Sequence, residues 1–135
     1  MKLSRFKTNS AAIEAGRWVE LPDFSGVSVK VRGFGNADYK RLQAKLIEAI
    51  PRAERLKGLS PEADEAIATQ LLLDTILIDW RGIDDDDGTP LLFDRATAEK
   101  LLSDPDYKPL RLAVNWAAQV VGDDDLAGFE EDAKN

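Results

Sequence analysis

The chain has 135 residues, 32% charged and 44% hydrophobic, with a formal net charge of −7; that is the size and make-up of one ordinary globular domain. It contains neither cysteine nor histidine, which removes disulfides, thiolate and imidazole metal sites, and Ser-His-Asp or Cys-His catalysis. Carboxylates, lysines and hydroxyls remain for chemistry, and no pair of them stands at the spacing that acid–base catalysis needs. We therefore expect no enzyme, no cofactor and no metal.

The charge is split along the chain. Residues 1–57 carry 12 Lys/Arg against 6 Asp/Glu, or +6, and residues 58–135 carry 6 against 19, or −13. The basic residues Lys40, Arg41, Lys45, Arg52, Arg55 and Lys57 fall in one predicted helix with no interleaved aromatics. That pattern reads as a solvated face and not as a nucleic-acid site. The dipolar distribution also suits copies of the chain meeting head to tail. No apolar run approaches the roughly 20 residues of a membrane span, and Met1 to Lys7 lacks the apolar stretch of a signal peptide. These features predict a cytoplasmic protein that does not engage membranes.

Residues 1–16 are small and polar and are expected to form a flexible arm. Arg17 to Leu21 alternates, Pro22 to Gly26 is rich in turn formers, and Val27, Val29 and Val31 share one face of the next segment. This predicts a hairpin over 17–32 with one buried face. A hairpin alone is marginal, so it must pack on helices or pair with another chain, and its free edge points to self-association.

Asn36 is a natural helix N-cap, and Tyr39, Leu42, Leu46, Ile50 and Leu56 recur at helical spacing to Lys57, with a bend near Pro51. Ser60-Pro61-Glu62 opens a second helix, expected to run to Trp80, whose end is apolar nearly all round. After Gly82 and the aspartates 84–87, residues 89–93 are extended. Asp94 then caps a third helix to Ser103, and a fourth runs from Leu110 to Val121. An acidic tail, 123–135, with Leu126 and Phe129 as its apolar anchors, reads as disordered or as a short helix.

The fold expected is mainly α (α+β): a small N-terminal hairpin packed on about four helices, in one globular domain spanning 17–122. Its core should include Val29, Leu42, Leu46, Ile50, Leu72, Ile76, Trp80, Leu101 and Val114.

The aspartate run invites a calcium reading. With Gly88 at the sixth place of an EF-hand loop, Asp85 and Asp87 fall at ligand places, but Ile83 falls at the first. The register fails, and the run reads as an exposed acidic turn. The helix end from Leu71 to Trp80 is more apolar than one core face requires. Leu73, Leu77 and Trp80, with Phe93 beyond the loop, are therefore the candidate lining of a partner-binding groove.

Several of these segments resemble one family. Trp18-Val19, the run Val29 to Gly33, Asn36-x-x-Tyr39, and above all Asp79-Trp80-Arg81-Gly82-Ile83 followed by an Asp/Gly turn and Pro90-Leu91-Leu92-Phe93 are similar to the tail assembly chaperones of long-tailed bacteriophages. The resemblance implies a non-enzymatic helper in the host cytoplasm that binds the tape measure protein before the tail tube polymerises, with the tail tube protein as a further partner. It also implies self-association and absence from the finished virion. A head–tail connector or tail completion protein is the alternative reading.

Overall fold

The computed structural model describes residues 1–127. The expected acidic tail reaches it only as its first turn, α7 (Asp124–Ala127); residues 128–135, with Phe129, lie outside the described residues. The architecture is mainly helical with one antiparallel sheet, in the order α1 (Ser10–Ala15), β1 (Arg17–Glu20), β2 (Ser28–Val31), α2 (Ala37–Glu48), α3 (Arg52–Leu56), α4 (Pro61–Leu71), β3 (Leu77–Arg81), α5 (Arg95–Ser103), α6 (Lys108–Val120) and α7.

The hairpin forms as its alternation demands. Val19 pairs with Val29 and Arg17 with Val31, which places all three valines on the inner face. It does not stand alone, however. The helix expected to continue to Trp80 ends in a wide π-type turn over Leu72–Ile76, and Leu77 passes into extended backbone. Residues 77–81 then add a third strand to β2, giving the order β1-β2-β3 with Val29 opposite Trp80. The run Thr75-Ile76-Leu77-Ile78 holds three β-branched residues, which lose rotamer freedom in a helix and suit a pleated surface. The open edge of β2 supplies a ladder that isolated helix propensity cannot match. A bulge between Lys30 and Val31 absorbs one residue of the added strand and leaves Ile78 outward, 38% exposed.

Asn36 holds this transition together. Its side-chain oxygen accepts the Tyr39 amide at 2.8 Å and caps α2. Its amide group donates to the carbonyls of Gly33 at 2.8 Å and Thr75 at 3.0 Å. The side chain is fully buried, and it joins the end of β2, the start of α2 and the π turn. Thr75 contributes from its own side, its hydroxyl donating to the Leu71 carbonyl at 2.7 Å.

The core lies between the sheet and the helices: Val19, Val29, Val31, Leu72, Ile76, Leu77, Trp80, Ala98, Leu102, Val114 and Ala117 are buried together. Of the residues expected there, Leu42, Leu46 and Ile50 are only half-buried, because α2 packs on α4 along one side and has no buried residue of its own. Leu101 likewise sits at the margin. The basic helix expected over 36–57 is two helices, broken at Ile50-Pro51 where the proline cannot donate to the ladder.

The N-terminal segment, expected as an arm, docks instead. Asn9 caps α1 by accepting the Ala12 amide at 3.0 Å, and its own amide donates to the Gly122 carbonyl at 2.7 Å. Ala12 is buried and Ile13 packs against the core. Arg17, 6% exposed, donates to the Asp124 carboxylate at 2.9 Å and to the Asp123 carbonyl at 3.2 Å, tying β1 to α7.

Asn36→Ala should cost about 2 kcal/mol, the sum of a lost helix cap and the buried Thr75 carbonyl left without its donor, since the Gly33 carbonyl still accepts the backbone amide of residue 36. Asn36→Ser, which can still cap, should recover only about 1 kcal/mol of it in urea unfolding.

Acid should destabilise the fold through a definable set of carboxyls. Asp38, beside Arg32 and then Arg41, lies below the ordinary carboxylate value. So do Asp94, capped onto the Thr97 amide and hydroxyl, and Asp124, held by Asn9 and Arg17. Because the folded values are the lower ones, the unfolded chain takes up protons first as pH falls. The stabilisation is complete above the ordinary carboxylate value of about 4 and is lost as pH drops through the depressed values. Circular dichroism across an acid titration should show this loss, and Asp38→Asn/Asp124→Asn should flatten it.

Candidate functional site

The four residues expected to line a groove converge, but inward. Leu73 is 9% exposed, Leu77 5% and Trp80 4%. Phe93 is half-buried, its ring edge-on to Trp80 with centroids 4.9 Å apart and planes at 83°. The Trp80 indole N–H donates to the Leu91 carbonyl at 2.7 Å, which fixes the extended segment after the acidic loop against the end of β3. The apolar excess read from the sequence is consumed by two layers at once, the helices on one side and the sheet on the other. Within the single chain these residues pack as a joint between the two layers.

That joint shapes the surface beside it. Gly82 follows β3 with a φ of +86°, and a Cβ there would fall on the Gly26 carbonyl oxygen. This close approach, open only to glycine, brings the β3 end against the hairpin turn. The acidic loop folds back on itself. The Leu91 amide donates to the Ile83 carbonyl at 2.8 Å, and the Asp85 amide to the Thr89 carbonyl at 2.8 Å. The Asp85 carboxylate accepts the amides of Asp87 and Thr89, each at 3.2 Å. Asp87 is held below the ordinary carboxylate value by its contacts with Asp85 and then with Thr89. Among the described residues no three acidic side chains are grouped so as to hold a metal ion.

Between the hairpin turn, the loop and the start of α6 lies a cleft of about 500 Å³. Its floor is apolar, with Leu21, Phe24, Val27, Ile83, Leu91 and Leu110, while Asp84, Asp85, Asp86 and Asp106 stand along its rim. On the other side of Phe24 a second groove of about 330 Å³ follows the outer face of α6, lined by Pro22, Phe24, Leu112, Ala113 and Trp116. Phe24 is 41% exposed and Leu112 55%. Leu112 and Trp116 stand one turn apart on α6, so an open apolar stripe runs along that helix.

Other groups singled out in the sequence have structural partners. Asp74, which interrupts the apolar helix end, pairs with Arg95 at 2.7 Å. Trp18 lies under the Arg81 guanidinium, 4.3 Å from the ring centroid. Trp116 is half-buried, the tryptophan that faces a groove. The basic residues of α2 and α3 are exposed, as a solvated face would be. Sequence patterning missed the α6 groove because Leu112 falls just off the stripe of Leu110, Val114, Ala117 and Val121 that marks the helix as core-facing; its 3-4 spacing to Trp116 was the available signal.

A sequence-family model described as YdaY prophage protein matches residues 34–135, about three quarters of the chain. No curated protein and no solved structure matches it.

The inward placement of Leu77 and the outward placement of Leu112 predict opposite outcomes for the same change. Leu77→Asp buries a charge without a partner and should abolish cooperative unfolding, whereas Leu112→Asp should shift stability by no more than about 0.5 kcal/mol. Thermal melts of the two variants check both.

Proposed function

The chain belongs to the YdaY prophage protein family, and we propose that within the phage particle's assembly it acts as a non-enzymatic tail assembly chaperone. Its client is the tape measure protein, held soluble in the host cytoplasm until the tail tube polymerises. The chaperone then leaves and is absent from the finished virion.

The observation that carries this reading is the open apolar groove along α6, where exposed Leu112 and half-buried Trp116 line it beside Pro22 and Phe24. A long apolar helix without cover aggregates, and a groove presenting hydrophobic side chains at helical spacing is the common way to cover one. The resemblance of Asp79 to Phe93 to tail assembly chaperones supports the same reading from a different direction. In this fold that stretch builds the joint behind the hydrophobic surface and presents no reactive constellation.

Co-expression tests it. With the tape measure protein of the same prophage, the wild-type chain should keep the long partner in the soluble fraction and co-purify with it. Leu112→Asp should remain folded and lose both effects. If wild type neither binds nor solubilises the tape measure protein, the chaperone assignment fails. Recovery of the chain from purified particles would favour a connector or completion protein instead.

A further inference from the structure

The acid-rimmed cleft and the basic helix pair are complementary parts of one molecule that do not meet within it. We propose that the cleft between the hairpin turn and the acidic loop is the receptor for α3 of a second copy, so that the protein associates head to tail.

The receptor side has an apolar floor under four aspartates, Asp84, Asp85, Asp86 and Asp106, and among the described residues no cationic side chain lines it. The ligand side is α3 and the residue after it. Leu56 is 76% exposed and stands among the exposed cations Arg52, Arg55 and Lys57. A leucine flanked by three cations, with Glu54 the one carboxylate of α3, matches an apolar pocket ringed by carboxylates in both of the terms that fix an interface, anchor and net rim charge. Among the described residues neither half is used inside the monomer: the cleft is open, and Leu56 lies outside the core. The sequence-wide split of +6 in residues 1–57 against −13 in the remainder gives the same polarity at long range, which steers the encounter.

Such an interface is heterologous, since the surface offered differs from the surface received. Each added copy therefore leaves one cleft and one α3 free, and the assembly grows until it closes as a ring or continues as an open helix. The α6 groove lies on the other side of Phe24 and remains available.

Sedimentation velocity across a concentration series tests the proposal with this protein alone, so its outcome is separable from that of the client experiment. Wild type should grow beyond the dimer as concentration rises, and raising NaCl from about 0.05 to about 0.5 M should weaken association about tenfold. Leu56→Asp removes the anchor and Asp86→Lys/Asp106→Lys reverses the rim. All three positions are exposed and should leave the thermal melt unchanged. Each variant alone should be monomeric. An equimolar mixture joins the intact cleft of the first to the intact α3 of the second, and should form a dimer that grows no further. A monomeric wild type at high concentration would overturn the proposal. So would variants that associate as wild type does, or a mixture that stays monomeric.

Discussion

The carboxamide of Asn36 sits where three elements change direction, and its two donors and one acceptor are all committed there. A buried carbonyl at the end of a helix costs free energy unless something donates to it. Thr75 lies at the point where α4 has opened into its π turn, and its carbonyl finds that donor in Asn36. The Ile76 carbonyl beside it accepts from the Arg32 amide at 2.9 Å, the first bond of the new strand pairing. Without these bonds the chain has no low-cost way to leave the helix at Ile76, and β3 has no start.

Most of the molecule follows from that departure. Once Leu77 and Trp80 face inward from a strand, they meet the valines of the hairpin across the sheet and the helices below it. The tryptophan then holds Leu91 and Phe93, and the loop between them closes over the hairpin turn by way of Gly82. The hydrophobic cleft and its carboxylate rim are the outer side of this closure. The exposed positions Leu112, Asp86 and Asp106 lie outside this joint, so they can be altered without disturbing the fold.

Much of this was legible from residue pattern. The hairpin, the caps at Asn36, Ser60 and Asp94, and the last two helices rest on local chemistry, and local chemistry placed them. The third strand was not legible, because a run such as Leu71 to Ile78 satisfies a buried helix and a buried strand equally well; the partner strand that decides between them lies some fifty residues earlier. The same ambiguity bears on the residues read as a groove lining. An apolar excess on one helix signals either a partner or a second internal layer, and Leu73, Leu77 and Trp80 serve the second. Leu42 and Leu46 failed in the opposite sense: their periodicity is that of a core helix, yet α2 lies at the periphery, a matter of layer order that periodicity cannot express.

The position of β2 in the centre of the sheet has a consequence for the order of events in folding. Its pairing with β1 is local and closes through a short turn, while its pairing with β3 joins Val29 to Trp80 across the whole of α2, α3 and α4. Closing so long a loop costs more entropy and comes later than forming helices, which need only neighbours. The strand form of Leu77 to Arg81 therefore depends on a contact that is distant in sequence, whereas the helix before it rests on near neighbours. During synthesis β2 leaves the ribosome well before β3 exists, so the backbone groups on that edge of β2 have no strand partner until residues 77–81 are made.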